Sequence, residues 1–374
     1  MKRLLVLGGG TAGTMVVNKL RRRLDRAEWQ ITVVDQNDTH VYQPGFLFVP
    51  FGGYQPAELV KPRQRFIPAG VGLVLGEIDR VDAGAGTVLL ADGRQLGYDY
   101  LVIATGATPR PDQTPGMLGP QWRKSIFDFY SLDGATALAC ALQNFDGGRL
   151  VVHIVDMPIK CPVAPLEFAF LAEAYFRRRG MRDRVEIAYV TPLDGAFTKP
   201  VASAQLGSML DERKIALETD FMVERIDGET KTLVSYDERE VPFDLLVTVP
   251  LNMGADYLAR SGLGDELNFV PVDKHTLLSR AHDNIFAIGD ASNNPDLQGR
   301  LGCAFLGRRV RPQLLPARGR PADDRQLRRA RELLHRVRRR QGPADRLQLR
   351  HRAAHRRLPR PGCRAIRAAA RERP

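Results

Sequence analysis

The chain has no run of 18 apolar residues, so no segment is expected to cross a membrane as a helix. A strand pattern starts at the first residues, so no signal peptide is expected. Cysteine is scarce: four residues at irregular spacing fit neither a disulfide framework nor a zinc site, and a reducing compartment is the simplest reading. Lysine is missing altogether after Asn293, where residues 294–374 carry 24 Arg against 6 acidic residues, a net +18. Subtracted from the whole-chain +12, this leaves −6 for residues 1–293. The basic character belongs to the last fifth of the chain, and the globular part is mildly acidic. Its composition therefore does not point to nucleic acid.

What is present begins at once. Leu4-Leu5-Val6-Leu7 runs into Gly8-Gly9-Gly10-Thr11-Ala12-Gly13 and leaves on a helical pattern predicted over Thr14–Arg23. This is a strand, a G-x-G-x-x-G turn and a helix. Gly8 permits the turn, Gly10 admits a pyrophosphate to the backbone, and Gly13 lets the helix pack on the strand. The helix N-terminus adds unpaired N–H groups and a partial positive charge. A second strand, Ile31–Val34, ends in Asp35, 22 residues past Gly13, where a carboxylate can accept a ribose hydroxyl.

Further along, His40-Val41-Tyr42-Gln43-Pro44-Gly45-Phe46-Leu47-Phe48 reads either as an ordinary buried loop or as an aromatic wall for a flat ring system. Short strands follow around Val71–Val81 and Thr87–Leu90. The strand Tyr98–Ile103 is stopped by small residues, Ala104-Thr105-Gly106, which suit close approach of a ligand. A second α/β unit reads as strand Leu150–Val155, helix Leu166–Arg178, strand Val185–Val190, helix Ala202–Arg213, and strands Thr232–Tyr236 and Phe243–Thr248. It has the shape of a dinucleotide fold without the glycine cradle. In its place stands Lys160-Cys161-Pro162-Val163-Ala164-Pro165-Leu166-Glu167. Cys161 precedes a helix N-terminus, where the dipole lowers a thiol pKa, and has Lys160 beside it. The competing reading is an inert buried cysteine, which fits Cys140 in its apolar helical stretch well. A last buried strand over residues 284–293 ends in Gly289-Asp290, where the carboxylate can bond a ribitol hydroxyl.

In this order, residues 1–293 resemble the two-dinucleotide-domain flavoprotein reductases, through the Gly8–Gly13 turn with Asp35, the Ala104-Thr105-Gly106 strand end and the Gly289-Asp290 strand end. The Tyr42–Phe48 loop and the Cys161-x-x-Ala164-Pro165-x-Glu167 motif look most like the sulfide:quinone oxidoreductase branch. The resemblance implies an α/β fold of two Rossmann-like three-layer domains, with residues 1–112 and 275–293 binding FAD, 113–274 carrying the redox cysteine, and an irregular Arg/Pro-rich, disordered tail at 294–374. Thr11, Ala12, Pro44, Gly45 and Ile78 join the expected FAD contacts, and no metal is expected. Cys161 would attack or carry sulfur from sulfide or polysulfide, with Glu167 as proton acceptor. Electrons would pass through FAD to a membrane quinone. The location implied is cytoplasmic or peripheral to the inner face of the membrane. The family pattern has three cysteines. Its first would fall near Ser125–Leu132, which contains none, so no covalent cysteinyl-flavin link is expected.

Two other functions share this frame. A type II NADH:quinone reductase would need a second glycine-rich turn where this chain has Cys161-Pro162-Val163-Ala164. A catalytically inactive product retaining a partial FAD fold follows if the tail replaces a segment that should cover the site. Codons encoding Asp296–Phe305, Arg331–Arg338 and Arg364–Arg371 can be chosen so that the next frame resembles the family in the family's own order, and the second stretch then supplies the missing cysteine. One inserted nucleotide near Asn293-Asn294 explains the break, and it removes functional weight from Cys303 and Cys363. Reading the DNA tests this. An alternative frame open well past Asn294 is expected, and early stop codons in it would exclude the shift.

Overall fold

The computed structural model describes residues 1–293. The inferred frame break, Cys303, Cys363 and the disorder expected of the tail concern residues outside those described.

Two parallel five-stranded sheets built to one plan organise the chain. In the first, the order is Ile285–Ala287, Tyr100–Ile103, Lys2–Leu7, Trp29–Asp35 and Gly72–Leu75. In the second, it is Ile126–Phe127, Leu245–Val249, Gly148–Ile154, Val185–Val190 and Ile215–Glu218. In each sheet an early strand lies between the strand that follows it and one that arrives much later. The order therefore reverses beside it, and a crevice opens at its carboxyl end, where open α/β sheets bind ligands. The two crevices are at Gly8 and at Val155. An antiparallel three-stranded insert precedes the late strand of each sheet, at Ile78–Asp82 with Thr87–Leu90 and Gln95–Gly97, and at Val223–Asp227 with Thr232–Ser235 and Glu240–Pro242.

The central strands are near-continuous apolar runs because helices and inserts cover both faces. Leu4, Val6, Leu150, Val151 and Val152 are all buried. The Ala164–Arg178 helix covers one face of the second sheet with Phe168, Ala172 and Phe176, spaced four apart and fully buried. Each phenylalanine contributes on the order of 2–3 kcal/mol by burial. Glu173 on the same helix is also buried, held by Arg177 at 3.3 Å and Arg213 at 3.2 Å.

The chain passes between the two halves twice, and the passages pair with each other: Thr108–Arg110 lies antiparallel to Leu251–Met253. Tyr257, Leu258, Leu263, Val270 and Val272 then pack into the core beneath the first sheet. The first glycine helix begins three residues earlier than its periodicity predicts, at Thr11, and ends at Arg21. Hydrogen bonding to the Gly10 carbonyl, not apolar spacing, sets that boundary.

His153 lies fully buried in the second sheet, with Nδ1 3.0 Å from the Thr248 hydroxyl on the adjacent strand. Burial lowers its pKa from 6.5 to about 3. As pH falls, the unfolded chain takes up this proton near 6.5 and the folded protein only near 3. Stability is therefore lost across that window, at up to about 1.4 kcal/mol per pH unit from this group. His153→Gln, which keeps a partner for Thr248 and does not titrate, should flatten that slope. Urea midpoints at about pH 7 and about pH 5 measure it, and an unchanged slope would locate the acid sensitivity elsewhere.

Candidate active site

The glycine turn is shaped by contacts that only glycine permits at two positions. Gly8 has φ +94°, and a Cβ there would strike the Ala104 carbonyl oxygen. A Cβ on Gly13 would strike the carbonyl oxygen of Gly8. The first strand end, the helix and the Ala104 strand end therefore sit flush. Gly10 and Gly106 differ: a Cβ on either meets nothing within 4 Å. These two glycines border open space at the crevice, as a cradle for a dinucleotide requires. No side chain caps the 11-residue helix that starts at Thr11, and its first turn holds no acidic residue, so its N–H groups suit an anion.

The other FAD segments expected from sequence come to the same place. Tyr100–Ile103 and Ile285–Ala287 are neighbours in the first sheet, which brings Thr105-Gly106 and Gly289-Asp290 side by side. Gly289 (φ +63°) approaches Ala12, whose Cβ would lie 3.1 Å from a Cβ placed on it. Thr105 Oγ1 is 3.3 Å from the hydroxyl of buried Tyr257. Asp35 sits at the end of the second strand, where its Oδ2 accepts the Gly9 N–H at 2.7 Å and pairs with Arg63 Nη1 at 3.0 Å. Arg63 has no sequence signal at this site, and His40, whose Nδ1 lies 3.3 Å from the Gly9 carbonyl oxygen, opens the aromatic segment with no contact to the glycine turn signalled by the sequence. They arrive on separate short elements and would be found only from the fold.

The aromatic stretch proves to be a 3-10 helix, Gln43–Phe51. Its Phe46, Leu47 and Val49 join the core of the second half, and Phe51 lies 5.0 Å from Phe168 between ring centres. Gly45 is buried against Leu59. Tyr42, Phe48 and Tyr54 stay exposed. Much of the stretch is thus a packing bridge between the halves. Ile78 lies on the insert of the first half, packed against the core under the sheet.

Cys161 stands at the crevice of the second sheet, three residues before the Ala164–Arg178 helix. It is partly buried, and its carbonyl accepts the Tyr130 hydroxyl at 2.9 Å and the Ala164 N–H at 3.0 Å. Asp128 positions Tyr130 by accepting the N–H groups of Tyr130 and Ser131, both at 2.8 Å, and it is itself paired with Arg123 at 2.7 Å. The stretch from Ser125 to Leu132, which holds no cysteine, is thus a turn centred on a carboxylate.

The electrostatics correct one expectation. Burial raises the Cys161 thiol pKa, and the Glu167 and Asp290 carboxylates push the same way, while the Ala164 and Val163 N–H groups pull it down without prevailing. Lys160 does not rescue the thiolate. Its Nζ bonds Gln43 Oε1 at 3.3 Å, and its charge faces Asp290 and Asp128. Desolvation also raises the Glu167 carboxyl. Among the described residues, no group of three or more His, Cys, Asp or Glu is placed to hold a metal. Alkylation of Cys161 should therefore rise with pH along a curve centred above the ordinary thiol value of about 8.5. Iodoacetamide labelling read by peptide mass measures this, and a midpoint near neutrality would show that the helix terminus prevails.

Comparison with known proteins agrees with this layout. The mitochondrial sulfide:quinone oxidoreductase of Mus musculus is 27% identical over 298 residues, covering 78% of this chain and 66% of the relative. The chain thus spans just under two thirds of that relative's length. The alternative NAD(P)H-ubiquinone oxidoreductase C1 of Arabidopsis thaliana is 25% identical over 338 residues, covering 80% of this chain and 63% of the relative. The solved sulfide:quinone oxidoreductase of Aquifex aeolicus shares the fold, with a TM-score of 0.69 at 20% identity, covering 79% of this chain and 70% of that one. Residues 2–301 match the pyridine nucleotide-disulphide oxidoreductase family, to which this chain belongs.

Proposed function

We propose that this protein is an FAD-dependent oxidoreductase that oxidises sulfide through Cys161 and passes the electrons to a quinone. The carrying observation is that a cysteine, followed by a carboxylate in the first helical turn, occupies the crevice of the second sheet. A second dinucleotide would need glycines there and an N-terminus free of negative charge. Glu167 opposes a second pyrophosphate, which weighs against the NADH-dependent reading.

The residues that would hold FAD are the Gly8–Gly13 turn with Asp35, the Thr105-Gly106 pair and the Gly289-Asp290 pair. The open space at Gly10 and Gly106 fits that assignment. FAD supplies the two-electron acceptor that sulfur oxidation requires and the means of passing the pair to a quinone.

The chain's own contribution is to hold sulfur and move a proton. Once the Cys161 thiol, protonated at rest, has given up its own proton, a bond between the thiolate and hydrosulfide releases a further proton and two electrons. Glu167, with its carboxyl raised toward working pH, is suited to take the proton. Tyr130 fixes the Cys161 backbone through its hydroxyl. A quinone is a membrane lipid, so the protein works against a membrane surface. No helix among the described residues is long and apolar enough to cross one.

Anaerobic mixing with sulfide should bleach the flavin absorbance. Cys161→Ser should abolish the bleaching, and Glu167→Gln should slow it by roughly a hundredfold or more. Bleaching by NADH alone would overturn the reading. A melt unmoved by added FAD would instead favour an inactive product, since a ligand of the native state must raise stability.

A further inference from the structure

The Asp35–Arg63 pair is the most elaborately bonded ionic contact near the glycine turn. Both side chains are shielded, with 14% and 6% of their surface exposed. Each guanidinium nitrogen of Arg63 finds a partner within one short stretch. Nη1 goes to Asp35 at 3.0 Å, Nε donates to the Asn37 carbonyl at 2.9 Å, and Nη2 donates to the Thr39 carbonyl at 2.6 Å. Its own N–H donates to the Asp38 carbonyl at 2.7 Å, and the Gln64 N–H donates to the Asp38 carboxylate at 3.1 Å. The Arg63–Phe66 turn therefore clamps the whole connection that leaves the second strand.

The clamp also accounts for a third glycine in the motif. Gly9 occupies a variable position of G-x-G-x-x-G, yet a Cβ there would lie 2.8 Å from Arg63 Cδ and 3.0 Å from Nη1. Arg63 cannot withdraw without losing its other bonds, so this position is glycine to admit the guanidinium. The Gly9 N–H and Arg63 Nη1 both bond Oδ2 of Asp35, and Oδ1 has no hydrogen-bond partner among the described residues.

We infer that Arg63 is a positioning residue for the adenosine half of the cofactor, locking Asp35 so that Oδ1 is kept for a ribose hydroxyl. The inference rests on the reading of the first crevice as an FAD site. The clamp also sets a specificity. Each guanidinium nitrogen of Arg63 already has a partner in Asp35, Asn37 or Thr39, and the Asp35 carboxylate itself repels a ribose phosphate, so the site accepts a hydroxylated ribose and refuses a phosphorylated one.

The test is titration of the flavin-free full-length protein with ADP, 2′-deoxy-ADP and adenosine 2′,5′-bisphosphate by calorimetry. The wild type should prefer ADP over the deoxy compound by roughly tenfold, the loss expected for one hydrogen bond to a charged acceptor. Arg63→Gln should bring that ratio close to one. Arg63→Lys, which keeps the charge without the fork, should give an intermediate ratio, and a melt verifies that each variant is folded. If removing the buried charge unfolds the glutamine variant, the lysine variant decides alone. A wild-type ratio retained in the folded variants, or tighter binding of the 2′-phosphate, overturns the inference. Wild-type protein that binds neither ADP nor FAD overturns instead the reading on which it rests.

Discussion

A backbone contact carries this molecule: the Gly8 peptide lies against the Ala104 carbonyl while the Gly13 peptide lies against Gly8. Protein interiors are packed too densely to absorb an added methyl at such a point without a shift of main chain. Because the first strand, its helix and the end of the neighbouring strand meet there without side chains between them, Thr105-Gly106 and Gly289-Asp290 arrive at the same crevice as the turn. The open space at Gly10 and Gly106 is the other face of that contact. In the turn and the strand end beside it, glycine is used twice for backbone packing, once to admit the Arg63 guanidinium and twice to leave room.

The second half repeats the sheet order but fills its crevice differently. The polypeptide at Val155–Val163 brings a thiol, and the helix that follows begins with Ala-Pro-Leu-Glu. The consequence is a contest of fields. The uncapped N–H groups at the helix start favour a thiolate, whereas burial and two carboxylates favour the thiol, and the second group wins. A cysteine protonated at rest, beside a carboxylate of raised pKa, is arranged for proton release coupled to sulfur chemistry rather than for standing as a free nucleophile. Lys160 serves the junction between the halves through Gln43.

Most of the architecture was legible because parallel strands covered on both faces are apolar throughout and so mark themselves. Lys2–Leu7, Gly148–Ile154 and Val185–Val190 lie where the apolar runs place them. The glycine motif located the first crevice because close approach restricts residue type. The aromatic stretch after Tyr42 was ambiguous for a physical reason. A buried loop and a ligand wall draw on the same side chains, and only the partners distinguish them. Its Phe46 and Leu47 proved to pack on the second half. The direction of the Cys161 shift was misread because the helix dipole is local and visible in sequence, whereas burial and the approach of Asp290, 129 residues away, are not.

The sequence by itself determined that there are two α/β units, that the first has a dinucleotide turn, and that a cysteine stands where the second turn would be. These follow from periodicity and from residues whose chemistry is restricted at one position. Tertiary structure alone decided that Arg63 and His40 reach the Gly9 peptide, that Tyr130 holds the Cys161 carbonyl, and that Asp290 faces the thiol. Each of these pairs residues far apart in the chain, so the contact depends on how sheets and inserts fold over one another. A local pattern cannot encode a partner that arrives on another element.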